Sequence, residues 1–236
     1  HSLSTSAESP TSNMQSVLLL LSFLLLSHGG AAGASDVVVD YDGDEVKAGQ
    51  LYEVLPAGIG IEGLSLGSLE ESCPLYVVSG IPGIDDLGPK PLAFFPENST
   101  EDTVREGDTL FIKFFRPTTC AQSSVWNYDV ETSFVGTGGT TTPARGPNYS
   151  RFAIFKSGEP HELYNTTYYF KSCPCGVGLV SLTCSMGCRL TLGLDDFERH
   201  HVLSGSGNDV AYWFFDKVKE GAMGSKIRPV ASRAKA

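Results

Sequence analysis

The chain has 236 residues, of which 41% are hydrophobic, and this is enough for one good core or two small ones. Its formal net charge at pH 7 is −10, which argues against a nucleic acid as partner because phosphates select basic surfaces. Its six cysteines are an even number, which suits a set of disulfides if the chain is secreted.

The first apolar segment is typical of a secretory signal peptide. Val17–Leu26 is an apolar run, and small residues follow it as far as Ala34. The competing interpretation, a membrane span, needs about 20 apolar residues and does not fit. We therefore expect upstream or vector-derived sequence over 1–13, a signal peptide over 14–34 and no membrane association of the mature chain.

Short apolar and aromatic runs then alternate with Gly, Pro, Asn and Ser. An apolar strand ends at Asp40, and Asp42-Gly43-Asp44 has the composition of a turn, because Gly tolerates positive φ and Asp bonds its own backbone. The later runs predict strands at Leu51–Leu55, Leu75–Ser79, Leu92–Phe95, Leu110–Phe115, Val125–Val130, Arg151–Phe155, Leu163–Phe170, Leu190–Leu194 and Val210–Val218.

Many short strands separated by turn signals indicate an all-β sandwich or barrel, with Trp126 and Trp213 in its core. No stretch of a dozen residues keeps the period of 3.6 that a helix requires. Because no linker-like stretch interrupts 35–219, we expect one domain there. Beyond it the chain is basic and lacks apolar runs, so we expect a disordered tail over 220–236.

Several spacings resemble the plant Kunitz family, the soybean trypsin inhibitor family. Val38-x-Asp40, Gly43, Val46 and then Tyr52-x-Val54 are similar to the opening signature of that family. Pro91–Lys113 resembles its miraculin branch. The resemblance covers about Asp36 to Lys219 and implies a disulfide-stabilised β-trefoil with no active site and no cofactor.

The same resemblance implies a disulfide pattern. A bridge between Cys73 and Cys120 would enclose the loop that meets the protease. In the later cluster the nearest interpretation pairs Cys173 with Cys188 and Cys175 with Cys184, one of three connectivities. Four clustered cysteines can also bind zinc, but C-x-C and C-x-x-x-C after a signal peptide favour disulfides, so no metal is expected.

The family inhibits serine proteases by offering an extended loop to the protease cleft as if it were substrate. An alignment without gaps from Cys73 to Cys120 places Glu97 or Asn98 at the protease's S1 pocket. Trypsin requires Lys or Arg in that pocket, so we expect an inhibitor that is not optimised for trypsin. The expected contact residues are Phe95, Pro96, Glu97, Asn98, Ser99 and Thr100.

Asn98, Asn148 and Asn165 begin N-glycosylation sequons, which predict a secreted or vacuolar glycoprotein. A glycan on Asn98 would obstruct a deep cleft. Ala48 stands where many family inhibitors have an Asn whose amide braces the loop. These two features favour an alternative, a non-inhibitory miraculin-like glycoprotein that serves in defence, storage or taste modification.

Other signals are weaker. His200-His201 lies near Asp195, Asp196 and Glu198, and a polar hairpin turn is preferred to a metal site because no ligand spacing repeats. The motifs supply no nucleophile, base and orienting group together, so we expect no enzyme. A carbohydrate-binding trefoil is a distant third function, because the Q-x-W repeat is absent.

Overall fold

The computed structural model describes residues 35–58, 60–69, 73, 75–82, 88–115, 120, 123–141, 149–158, 164–173, 188, 190–197, 200–205 and 210–219. The predictions for 1–34, for the tail and for Asn148, Cys175 and Cys184 lie outside these residues. The strands all belong to the compact unit Asp36–Ala236. In the part of the chain so described, no helix is long and apolar enough to cross a membrane.

The described residues form thirteen strands and no helix. The strands are β1 (Leu51–Pro56), β2 (Leu64–Gly67), β3 (Tyr76–Ser79), β4 (Leu92–Pro96), β5 (Leu110–Phe114), β6 (Asn127–Tyr128), β7 (Val135–Gly136), β8 (Phe152–Lys156), β9 (Tyr168–Ser172), β10 (Leu190–Thr191), β11 (Gly193–Phe197), β12 (His200–Ser204) and β13 (Trp213–Lys217).

Six of these strands close into an antiparallel barrel. β1 pairs with β4, β5 with β8 and β9 with β13, and the pairings β4–β5, β8–β9 and β13–β1 complete the ring. The short β10 pairs with β9 outside this ring. A closed ring leaves none of the six strands with an unpaired edge.

Three hairpins accompany the barrel: β2–β3, β6–β7 and β11–β12. They join one another through β3, which pairs with β7 and β12, and through the bridge between Phe134 and Ser204. The chain thus repeats three times the order barrel strand, hairpin, barrel strand. This threefold arrangement is a β-trefoil, so the expected fold is confirmed.

Alternating burial along the barrel strands builds an aromatic core. Every second residue is buried along the whole of β9 and from Trp213 to Asp216 in β13, as expected for strands with one face inward. Phe215 lies at its centre, with ring centroids 5.1 Å from Phe94 and 5.3 Å from Tyr168. Trp126 and Trp213 are fully buried, which confirms their expected core positions.

Two predicted strands are shorter or divided in the structure. Val125–Val130 contains only the two-residue β6, because a turn begins at Asp129, whose carboxylate accepts a hydrogen bond from Glu131 N at 2.9 Å. Leu190–Leu194 is split between β10 and β11. The sequence interpretation also missed the short strands β2 and β7, which offer too few residues for a readable pattern.

The placement of His200-His201 in a turn was wrong. The hairpin exists, but both histidines lie on β12, and in the β11–β12 register the backbone of His200 pairs with that of Phe197 and the backbone of His201 with that of Asp196. His201 Nδ1 lies 2.6 Å from Asp196 Oδ1. Among the described residues, no group of three or more His, Cys, Asp or Glu side chains is arranged to hold a metal ion.

We predict that Phe215→Ala destabilises the fold by about 3–5 kcal/mol, because it leaves a cavity among the core rings. Urea unfolding measures the change. Phe115→Ala is the matched control: this side chain is 60% exposed, so its loss should change the stability by less than about 0.5 kcal/mol. Similar losses for both variants would contradict the placement of the core.

Candidate functional site

The predicted contact loop leaves the barrel between β4 and β5. The ladder of these strands ends at Pro96 and Leu110, and Glu97 N then donates to Thr109 O at 2.8 Å. Phe95 and Pro96 therefore belong to β4 rather than to the loop, and Pro96 is buried. Exposed residues follow them, namely Glu97, Asn98, Ser99 and Thr100.

The apex of the loop is a turn with its own hydrogen bonds. Glu101 N donates to Asn98 O at 3.1 Å, and Thr100 Oγ1 donates to Asn98 Oδ1 at 2.8 Å. An Asx side chain that accepts hydrogen bonds two residues ahead is typical of such turns. The exposed apex thus has a defined local conformation.

Arg151 holds the first end of the loop. It immediately precedes β8, and its side chain is only 7% exposed. Its Nε donates to Glu97 Oε1 at 2.9 Å, and its Nη2 donates to the same oxygen. Charge-assisted bonds to a nearly buried guanidinium are among the stronger polar contacts of a protein. The carboxylate of Glu97 consequently points back to the barrel.

The segment 37–48 holds the second end. Ala48 N donates to Asp102 O at 2.8 Å, and Val104 N donates to Val46 O at 2.9 Å. Lys47 Nζ also donates to Thr103 Oγ1 at 2.8 Å. The methyl side chain of Ala48 cannot form a hydrogen bond to the loop. The hydrogen bonds between this segment and the loop are therefore formed by backbone groups and by the side chain of Lys47.

Lys47 is itself fixed by Glu45, whose Oε2 lies 2.6 Å from Lys47 Nζ. The hydrogen bond and positive charge of Lys47 lower the pKa of Glu45, and the hydrogen bond that Lys47 donates to Glu45 raises the pKa of Lys47. Both groups are exposed, so the pair orients the Lys47 ammonium more than it stabilises the fold.

Two buried tyrosines fasten this segment to the barrel. Tyr52 Oη accepts a hydrogen bond from Lys47 N, and Tyr168 Oη accepts one from Val39 N, both at 2.9 Å. Burial raises the pKa of each phenol, and the backbone hydrogen bond opposes the shift. The segment is thus held between the barrel and the loop.

Two disulfides occur among the described cysteines. Cys73 pairs with Cys120, with Cα atoms 5.0 Å apart, and this bridge spans 47 positions that include the whole loop. Cys173 pairs with Cys188, with Cα atoms 4.0 Å apart. These are two of the three pairings that the family resemblance implied. The third, Cys175 with Cys184, lies outside the described residues.

Sequence reasoning could not identify most of the contacts that support this loop. Arg151 lies 54 positions from Glu97, and nothing in the local sequence of either residue indicates their contact. Tyr52 was part of the opening signature, but only the fold shows that its hydroxyl accepts from Lys47 N. Of the predicted sequon residues that the structure describes, Asn98 and Asn165 are both exposed.

Comparison with known proteins identifies the class. Residues 38–215 match the model of the legume Kunitz family, described as "Trypsin and protease inhibitor". The chain therefore belongs to the plant Kunitz family, a family of protease inhibitors and not of enzymes, and the resemblance is confirmed.

Individual relatives support this assignment. A trypsin/chymotrypsin inhibitor of Alocasia macrorrhizos is 44% identical over 184 residues, which are 78% of this chain and 98% of that protein. The crystal structure of Alocasin, a protease inhibitor from giant taro, matches with a TM-score of 0.66 and 43% identity, over 78% of this chain and 100% of Alocasin. Miraculin of Synsepalum dulcificum is 33% identical over 133 residues, 48% of this chain and 58% of miraculin.

We predict that Glu97→Ala destabilises the protein by about 1–3 kcal/mol, because it leaves the nearly buried Arg151 guanidinium without this acceptor. This loss of stability is smaller than the loss expected for a fully buried ion pair, because the Glu97 side chain is 33% exposed. Urea unfolding tests this, with Glu101→Ala from the same loop as control. Equal effects of the two substitutions would contradict the role given to the ion pair.

A second prediction concerns alkaline pH. Because burial raises the folded-state pKa of Tyr52 and Tyr168 above the ordinary value of 10.0, the unfolded chain ionises these phenols first. Their contribution to stability is complete below pH 10 and is lost as the pH rises through the folded-state values.

The ultraviolet absorbance of phenolate measures this in a pH titration. In the native protein, part of the phenolate absorbance should appear only at a higher pH than in the unfolded chain. Tyr52→Phe and Tyr168→Phe should each remove a share of this high-pH absorbance. In denaturant, all of the absorbance should appear at the pH of the unfolded chain. A native titration curve identical to the denatured one would refute the burial of these hydroxyls.

Proposed function

We propose that this chain inhibits a serine endopeptidase by presenting the loop Glu97–Asp102 to the protease cleft in the manner of a substrate. One observation carries the proposal: an exposed apex is fixed at both ends. Glu97 is held by Arg151 and Thr109, and Asp102 is held by Ala48. Membership of a protease inhibitor family supports it.

The geometry suits such a mechanism because the loop is ordered before it binds. A preorganised segment loses little conformational freedom on association, and this raises affinity. If the protease cleaves a bond within the apex, the new termini remain held by the same contacts, and the Cys73–Cys120 bridge keeps the two pieces in one molecule. Reformation of the bond then competes with release.

The specificity of the loop follows from its side chains. Between Pro96 and Val104 the chain has no Lys or Arg, so nothing there matches the aspartate of a trypsin S1 pocket. Of the two expected S1 residues, Glu97 is engaged by Arg151, which leaves Asn98 and its neighbours at the apex. We propose a protease whose S1 pocket accepts an uncharged side chain.

A second function is favoured by a specific observation. Asn98 is exposed at the apex and opens a sequon, and a glycan there would cover the residues that should meet the protease. The alternative is a non-inhibitory, miraculin-like glycoprotein of defence, storage or taste modification. Both proposals place the chain in the secretory pathway, as a secreted or vacuolar plant protein, on the evidence of the 14–34 segment and the three sequons.

Titration of chymotrypsin, subtilisin and trypsin, each at a known concentration of active sites, with the purified protein distinguishes these two functions. We expect stoichiometric inhibition of chymotrypsin or subtilisin, and weaker inhibition of trypsin. Enzymatic removal of N-glycans should strengthen inhibition if Asn98 is glycosylated. Asn98→Gln should reproduce that gain without enzymatic treatment.

In the Asn98→Gln background, where this sequon is already absent, Ser99→Pro at the apex should lower inhibition at least tenfold relative to Asn98→Gln alone, because Pro removes a backbone donor and restricts the preceding residue. Lys219→Ala is the neutral control, because Lys219 is exposed and lies outside the loop. A proline at Ser157 would not be a suitable control, because Ser157 N donates a hydrogen bond to Thr167 O and its loss would disturb the fold. No inhibition of any of the three proteases in either glycan state would overturn the inhibitor proposal in favour of the alternative.

A further inference from the structure

A cavity of about 370 Å³ lies outside the protease-contact loop. It is lined by the turn Asp40–Gly43 with Val39, by the segment Tyr164–Thr166 and by Phe214 of β13. Its described lining residues include two carboxylates and no Lys, Arg or His side chain. The cavity therefore combines aromatic surface with hydrogen-bond acceptors.

Three aromatic rings form one wall of this cavity. The rings of Tyr164 and Phe214 are stacked, with centroids 4.3 Å apart and an interplanar angle of 25°. The Tyr41 ring lies 5.5 Å from Phe214 and 6.3 Å from Tyr164. Tyr41 is nonetheless 61% exposed, which is a large apolar exposure for a ring in an aromatic cluster.

The protein backbone holds Tyr41 in this place. Tyr41 N donates to Phe215 O at 2.8 Å, which ties the turn to β13. Asp40 Oδ1 accepts from Asp42 N at 3.1 Å and from Asp44 N at 2.9 Å, and Gly43 supplies the positive φ of 87° that the turn requires. The exposed ring is therefore presented by a fixed turn, not by a loose one.

Asn165 lies in the lining of the same cavity and is exposed. It is the first residue of the sequon Asn165-Thr166-Thr167, so an N-linked glycan would begin beside the three rings. The first sugar, N-acetylglucosamine, offers a face of C–H groups and a methyl group to aromatic rings. Its hydroxyl and amide groups are donors that match the carboxylate of Asp42.

We propose that the glycan on Asn165 is a structural part of the fold, with its first N-acetylglucosamine packed against Tyr41, Tyr164 and Phe214. This rests on passage of the chain through the secretory pathway. It does not depend on protease inhibition, because the cavity and the contact loop share no residue. Asn98, in contrast, places its glycan at an exposed loop apex.

The test uses the full chain expressed through the secretory pathway of plant cells. In the variant N98Q/N148Q, Asn165 is the one sequon residue left, and mass spectrometry of its peptide reports occupancy. An endoglycosidase that leaves a single N-acetylglucosamine should not change Tm. Complete removal by an amidase should lower Tm by about 2–4 °C, the shift that a loss of about 1 kcal/mol produces in a domain of this size.

Two comparisons distinguish packing from a general effect of glycans. In Tyr41→Ala, made in the N98Q/N148Q variant, the difference in Tm between glycosylated and deglycosylated protein should fall by at least half, as coupled groups require. In N148Q/N165Q, which keeps only Asn98, deglycosylation should leave Tm unchanged. An unoccupied Asn165, an equal shift for Asn98, or a shift in Tyr41→Ala as large as before would each overturn the proposal.

Discussion

The fixed position of the segment 37–48 is the constraint on which the site depends. On one side, the hydroxyls of Tyr52 and Tyr168 accept hydrogen bonds from Lys47 N and Val39 N. On the other, Ala48 N and Val104 N form the hydrogen bonds that join the segment to the returning half of the loop. Because the tyrosines belong to β1 and β9, their hydrogen bonds anchor the segment to the barrel. The segment in turn anchors the loop.

The two ends of the loop are supported by different chemistry. Glu97 is held by an ion pair with Arg151, whereas Asp102 and Val104 are held by backbone hydrogen bonds. Backbone support tolerates side-chain replacement, which explains how a loop can remain anchored with Ala48 in place of a bracing amide. Because the fold alone does not determine function, the function of this chain must be argued from its loop residues.

Much of the fold was predictable from the sequence because its signals are local. The apolar runs located the barrel strands, the Asp42-Gly43 turn needs only neighbouring residues, and the family spacing implied the Cys73–Cys120 bridge. The short strands β2 and β7 were not predictable because each offers too few residues for a readable pattern. The position of His201 on β12 was not predictable because β12 pairs with the distant strand β3, where His201 is the partner of Ser79. Arg151 and Glu97 are likewise joined only by the closure of the barrel, so their contact has no local signal.

The measurement that decides whether a fixed loop imitates a substrate is to map where this chain is cleaved. The chain is incubated for a long time with a trace amount of a protease that it inhibits. If the loop imitates a substrate, a single bond within Glu97–Asp102 should be cleaved, and the two pieces of the product should separate only after reduction of the Cys73–Cys120 bridge. Re-formation of the cleaved peptide bond should convert part of that product back to the intact chain. Cleavage elsewhere, at several bonds, or with loss of the folded state would show that the loop does not act as a fixed imitation of a substrate.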